Sequence, residues 1–335
     1  MFQFLRLPQV ALTIVIRFMS PIQLLFLASI SVRARKTVNF HCRKNTFKFT
    51  LTFTDEDLYE NMQTKQMRIQ YEGSSTKDRH RFEIVSSAGS WPFLFKGSIQ
   101  PNKYYYNWPE SYHKYDYMQH MRNILLDVIG TFNKPTVSFE ILGGVAPMFA
   151  TKLINDTEMR SCPIELVYMQ LKNVRRASLG KFMTACSNVH DLVIRTKLCP
   201  HEIKRSYVPM PEFKAMRCDH VILVNGYWAN LENFLSCRRL TLIDKTVGRQ
   251  YPFLTAPRLN YAIKKWRNAD CKLEKLVIPF PIVDNFKKVV RDLCDNGIDV
   301  VGTTKYKFFQ KADGRNARVY YRNGKLEVSV QPKNA

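Results

Sequence analysis

The sequence predicts a mixed α+β fold, and three observations carry that prediction. An apolar opening is cut by prolines into helix-length pieces, residues 45–53 alternate apolar with polar, and from about residue 160 short apolar strands recur behind cysteines. At 335 residues the chain exceeds the ~250–300 at which single cores divide, so one large unit or two or three smaller ones are expected.

The opening reads LPQVALTIVIRFMSPIQLLFLASISVRARK over residues 7–36. Arg17 interrupts the apolar run and Pro8 and Pro21 bracket it, so no stretch reaches the ~18 residues of a membrane-spanning helix. A secretory signal needs an unbroken apolar core and a small-residue cleavage site. Here the core is split, and it ends in Arg33, Arg35 and Lys36. Ser20-Pro21 reads as a helix start, because serine caps well and proline is tolerated at the first helical position. Before it, Val10, Ile14 and Phe18 fall at successive i+4 steps. After it, Leu24, Leu27 and Ala28 share a face. The opening is therefore two short helices joined at a proline break, with a basic third segment from Ser31.

Residues 45–53, NTFKFTLTF, place Phe47, Phe49, Leu51 and Phe53 at the period of a half-buried strand. Further strands are expected at 66–71, 81–86 and 136–142, with a helix over 116–129 that Gly130 stops. Asp55, Glu56 and Asp57 read as a helix N-terminus, where negative charge is favoured. The tyrosine-rich stretch 104–117 reads as a packed loop.

Cys186, Cys218, Cys237 and Cys271, at spacings of 32, 19 and 34 residues, each lead into a short strand with apolar residues two apart. Helices are expected before the last two, over 229–236 and 257–269, the latter with Leu259, Ile263 and Trp266 on one face. Strand-after-helix units at uneven spacing make an irregular leucine-rich-repeat pattern, in which cysteine serves as a small buried hydrophobe. A helix over 283–294 presents Phe286, Val289, Val290 and Leu293 inward. The tail, 305–330, contains Asp313-Gly314 and Asn323-Gly324, and the second reads as a type I′ hairpin turn closing a small antiparallel sheet.

The chemistry-bearing patterns are missing. No GxSxG elbow, phosphate loop, GxGxxG or HExxH occurs, and the eight cysteines contain no CxxC pair. Gly143-Gly144 reads as a turn. No catalytic residue, cofactor or metal ligand is assigned. Sparse cysteines beside apolar runs favour reduced thiols and a cytoplasmic or nuclear chain. Asn155-Asp156-Thr157 fits a glycosylation acceptor, which has meaning only in a secreted protein. The net charge of +23 invites nucleic acid, but Lys and Arg are dispersed without a run of five, and no recognition module accompanies them. A basic nucleic-acid-binding protein is the alternative reading.

Leu7-Pro8, Ile14, Met19, Pro21, Leu24, Leu27 and Ser31 resemble the F-box, a helical module with an LP start, an apolar stripe, a central proline and a serine near its third helix. The form here looks like the nematode version. It departs from many F-boxes at Val32-Arg33-Ala34, where they carry a tryptophan. Independently, "CRRLTLID", "LNYAIKKWRNADCKLEKLVI" and "ADGRNARVYY" in the region 160–330 are similar to the F-box-associated type 2 domain that follows F-boxes in nematodes. The resemblance implies a three-helix F-box over 1–40, a strand-containing middle region over 41–155 and an irregular leucine-rich-repeat-like α/β domain over 156–335. It further implies the substrate-recognition subunit of a Skp–cullin–F-box ubiquitin ligase, a non-enzyme acting in ubiquitin-dependent degradation. The Skp adaptor, and through it a cullin, would be held by Leu7, Pro8, Ile14, Met19, Pro21, Leu24, Leu27 and Ser31. A protein substrate would be held by the C-terminal domain, with Tyr227 and Trp228 as candidate contacts; Trp266, at helical spacing, is read as core.

Overall fold

The computed structural model describes residues 7–42, 47–57, 63–72, 81–87, 103–107, 114–143, 145, 147–198, 215–226, 228–243, 255–268, 271–279, 286–291, 293, 299–301 and 304–331. The fold is mixed α+β, with a helical N-terminal region followed by extensive sheet. The chain divides into two compact units, Met1–Val167 and Tyr168–Ala335, and the division falls within a strand, Ile164–Val174.

The first unit opens with α1 (Gln9–Phe18), α2 (Pro21–Ile30) and α3 (Val32–Cys42). Strands β1 (Lys48–Asp57), β2 (Gln63–Glu72), β3 (Arg81–Ser87) and β4 (Lys103–Asn107) follow, then α4 (Lys114–Thr131), β5 (Thr136–Gly143), α5 (Pro147–Met159) and the start of β6 (Ile164–Val174). The alternation read at 47–53 places β1 at the centre, antiparallel to β2 and parallel to β5, with Leu51 opposite both Ile69 and Phe139. Phe47, Phe49, Leu51 and Phe53 are all buried. Phe132, just past α4, stacks on Phe47 and Phe49 with ring centroids at 4.7 and 4.8 Å. Arg122 of α4 grips Asp156 of α5 through two bonds, Nη2 to Oδ1 at 3.0 Å and Nε to Oδ2.

Three sequence expectations change here. Asp55, Glu56 and Asp57 lie in β1 rather than at a helix start, because ladder pairing with residues 63–65 of β2 outweighs local preference. The 104–117 stretch contributes strand β4 and the first turn of α4, with residues 108–113 outside the described residues. Gly130 does not stop α4, which continues through Thr131. Thr157 of the Asn-Asp-Thr triplet is buried in α5 with its hydroxyl donating to Leu153 O, so the acceptor motif is spent on helix packing.

The second unit contains α6 (Arg176–Ala185), β7 (Asp191–Leu198), β8 (His220–Val224), β9 (Arg239–Ile243), α7 (Ala256–Asn268), β10 (Lys275–Pro279) and α8 (Phe286–Val289). Strands β11 (Asp299–Val301), β12 (Thr304–Gln310), β13 (Asn316–Arg322) and β14 (Lys325–Val330) complete it. β7, β8, β9 and β10 are parallel neighbours in chain order, and β14 extends the sheet antiparallel to β10, followed by β13, β12 and β11. Cys186, Cys218 and Cys237 are fully buried at the corners that feed the strands. Cys218 Sγ donates to Cys186 O and Cys237 Sγ to Met216 O, as small hydrophobes with a weak donor do.

Trp266 is buried with its indole N–H on Leu273 O, and Leu259 and Ile263 share its face. The Asn323-Gly324 turn has both residues at positive φ, 52° and 71°, and joins Arg322 to Lys325 as a type I′ hairpin. Two expected helices are shorter than read. The 229–236 stretch forms only a 3₁₀ turn, Leu231–Phe234, because Asn230 caps it and no longer apolar stripe extends it. In the 283–294 stretch the described helix is α8, which ends at Val289, and Phe286, Val289, Val290 and Leu293 are all buried as the spacing predicts.

Lys311 has a completely buried side chain, with its ammonium 3.4 Å from Asp313 and 4.7 Å from the Trp266 ring centre. Asp313 also pairs with Arg315, whose guanidinium holds the Asp313 carboxyl well below the usual carboxylate range. A depressed folded-state pKa gives stability that is present above the ordinary value of 3.8 and lost as pH falls through the lower folded value. Asp313→Asn is expected to cost about 2 kcal/mol in chemical denaturation at pH 7, because Lys311 loses its carboxylate. The difference from the parent should shrink as the buffer is taken below pH 3.8.

Candidate functional site

The N-terminal helices carry the largest set of exposed apolar side chains among the described residues. Local sequence fixes each helix. Ser20 caps α2 in a reciprocal box with Gln23, with Ser20 N–H on Gln23 Oε1 at 2.7 Å and Gln23 N–H on Ser20 Oγ at 3.4 Å. Pro21 occupies the first helical position, where its missing N–H costs nothing. Ser31 starts α3, its Oγ accepting from Ala34 N–H at 3.1 Å. Arg35 of α3 pairs with Asp127 of α4 at 2.9 Å and Asn39 donates to Gly130 O, which seat the helices on α4.

Inside the module lie Leu12, Ile16, Leu24, Leu27, Ala28, Ala34, Val38 and Cys42. Burial pushes the Cys42 thiol up to about 11, so it stays protonated and inert at neutral pH. The exposed surface of these helices is greasy as well. Phe18 is 86% exposed, Val10 72% and Ile30 and Val32 each 74%, and Ile14, Val15 and Phe40 are also exposed. Isolated exposed apolar residues are ordinary, whereas a cluster on one small module marks an interaction surface. Beside it, a groove of about 690 Å³ is lined by Leu7, Leu12, Val32, Lys36, Phe40 and His41. His41 Nδ1 lies 3.3 Å from the Thr13 hydroxyl, linking α3 to α1.

The residues named from sequence divide between the two sides. Pro8, Ile14 and Ser31 are exposed, and Leu7 and Met19 are half-buried. Pro21, Leu24 and Leu27 are buried in the packing of the helices. Ser31 is occupied as a cap. Sequence reasoning passed over Val10, Val15, Phe18, Ile30, Val32 and Phe40 as contacts, although the i+4 ladder Val10, Ile14, Phe18 was the signal. A second signal is charge. Residues 1–54 contain eight Lys and Arg and no Asp or Glu.

In comparison with known proteins, no family model, no curated protein and no solved structure matches the chain. The reading of the site therefore stands on its geometry.

No cluster of three His, Cys, Asp or Glu side chains suited to a metal occurs among the described residues. His190 lies between Asp191 and Asp219, 3.1 and 3.0 Å away, on an exposed corner. No described helix is long and apolar enough to cross a membrane. Tyr227 lies outside the described residues. Trp228 is 1% exposed and its indole N–H donates to Thr196 Oγ1 at 3.2 Å, so it supplies packing rather than a surface.

The two sides of the module should separate in stability measurements. Phe18→Asp is expected to change the unfolding free energy by less than about 0.5 kcal/mol, since its ring touches mainly water. Leu24→Ala, by contrast, should cost about 2–5 kcal/mol through a cavity. Urea titration followed by circular dichroism reads both.

Proposed function

We propose that the chain is the substrate-recognition subunit of a Skp–cullin–F-box ubiquitin ligase, docking the Skp adaptor through α1–α3 and a protein substrate through the second unit. The observation that carries this reading is the exposure of six apolar side chains on these three helices, Val10, Ile14, Phe18, Ile30, Val32 and Phe40. Each such side chain contributes about 1.5–3 kcal/mol when fully buried. Six together offset the association cost of roughly 4–15 kcal/mol, leaving net affinity for a partner. The three-helix arrangement, with Ser20-Pro21 opening α2 and Ser31 opening α3, fits the F-box resemblance. The succession β7, β8, β9, β10, parallel and in chain order, fits a leucine-rich-repeat-like second domain.

A ligase subunit of this kind needs no catalytic group. It holds a substrate lysine near ubiquitin carried by another subunit, and proximity supplies the rate. The chain acts as a tether in cytoplasm or nucleus, without cofactor. The residues placed in adaptor contact are Leu7, Pro8, Ile14 and Met19 from the sequence pattern, joined by Val10, Phe18, Ile30 and Val32 from their exposure.

Co-expression of the full chain with a Skp adaptor, followed by affinity purification, tests the proposal. The parent chain is expected to retain the adaptor in stoichiometric amount. A Phe18→Asp, Ile30→Asp double variant, folded by circular dichroism, should lose it by at least about tenfold in Kd. An intact chain that fails to hold the adaptor overturns the reading.

A further inference from the structure

Among the described residues, one face of the sheet of the second unit is buried and the other is largely half-buried or exposed. Helices α7 and α8 pack on the buried face, where Trp266 meets Phe309 at 5.9 Å and Phe286 meets Tyr321 at 6.5 Å between ring centres. Leu192, Ile194, Leu223, Leu240, Leu276 and Leu326 are buried on that side. The alternate residues face the other way. Across β7, β8, β9 and β10 the register sets Val193, Ile222, Thr241 and Val277 side by side, and across β14, β13 and β12 the same line runs through Glu327, Tyr320 and Tyr306. All but Glu327 are half-buried and uncharged, so this line is a mostly apolar stripe laid across the strands.

Cations border the stripe on both sides. Two residues along the strands in one direction lie Asp191, His220, Arg239, Lys275, Ser329 and Arg318, the last over the Tyr320 ring. Two residues in the other direction lie Arg195, Val224, Ile243, Pro279, Lys325 and Arg322, so each border carries three cations, set at the strands of its ends or middle rather than in an unbroken row. Glu327 on the stripe is already held by Lys275 at 2.9 Å. No carboxylate among the described residues pairs with Arg239, Arg322 or Lys325. The two borders are four residues apart, about 13 Å. An α-helix with its side chains is about 10–12 Å wide. From β7 to β12 the stripe crosses seven strands. Their six intervals of about 4.8 Å span about 29 Å, the length of a helix of roughly 19 residues.

We propose that this second face is the docking groove for an acidic amphipathic α-helix of the substrate protein, its apolar stripe on the Val193–Tyr306 line and its flanking carboxylates on the cations of the two borders. The inference deepens the substrate-capture reading and rests on it only for the claim that the bound helix belongs to a protein marked for ubiquitination. Single-stranded nucleic acid fits the face less well. Base stacking needs aromatic rings along the track, whereas Val193, Ile222, Thr241 and Val277 are aliphatic or small, and the aromatic residues are confined to one end.

Fluorescence anisotropy on the full chain tests the groove with three labelled probes. One is a synthetic helix of about 19 residues with leucines at i, i+3, i+4 and i+7 and glutamates flanking them. The others are the same composition scrambled and an oligothymidylate of similar length. The acidic helix is expected to bind at least about tenfold more tightly than the scramble and to weaken with salt. Arg239→Glu with Lys325→Glu should weaken it about tenfold. Thr241→Arg separates shape from charge: added charge alone predicts tighter binding, whereas a filled groove predicts weaker binding, which is the expected result. Equal binding of the scramble, preference for the oligothymidylate, or unchanged affinity in the charge-reversed variant, shown folded by circular dichroism, overturns the proposal. Adaptor retention, measured in parallel, tells failure of this groove from failure of the ligase reading.

Discussion

A ten-residue helix that is apolar on two sides cannot satisfy both within three short helices, and α1 is such a helix. Leu12 and Ile16 are buried, while Val10, Ile14 and Phe18 remain outside with Ile30, Val32 and Phe40. The hydrophobic effect acts on every one of these side chains alike, so the outward set has a driving force toward burial by a partner. The capped starts of α2 and α3 and the Arg35–Asp127 pair hold that outward set in a fixed arrangement. A rigid face loses little entropy when a partner covers it. The proposed adaptor role follows from this one imbalance.

The second unit obeys a different constraint. Parallel strands joined in chain order by crossovers of one hand put their connections on one side of the sheet. Here the buried side holds leucines, isoleucines and the aromatic cluster around Trp266. The other side cannot be fully polar without losing cross-strand packing, nor fully apolar without inviting aggregation. A narrow stripe fenced by arginine and lysine resolves the conflict, and the same fence selects for negative charge. The basic excess of the chain thus has a local use on this face, although +23 as a sum says nothing of it.

Much of the fold was legible because its strongest signals are local and periodic. The Phe47–Phe53 alternation, the Ser20-Pro21 start, the Leu259–Trp266 face and the Asn323-Gly324 turn each correspond to an element of the structure. Elements decided by tertiary pairing were not. Asp55–Asp57 join β1 because β2 lies alongside, and α5 and α6 carry no clean stripe since they are buried on more than one side. The candidate site was half legible. Spacing revealed that α1 has an apolar ladder at Val10, Ile14 and Phe18, but spacing cannot say which of two apolar faces turns inward. That depends on where α2 and α3 lie. For the same reason Leu24 and Leu27 read as contacts from pattern and lie inside by packing, and Trp228 reads as a recognition aromatic and is enclosed by its neighbours.

Hydrogen–deuterium exchange of the full chain, with and without a Skp adaptor, tests the central claim most directly. The account predicts new protection confined to residues 9–18 and 30–40, with exchange across β7–β14 unchanged. Adaptor-induced protection in the second unit, with α1 and α3 exchanging as they do in the free chain, would contradict it.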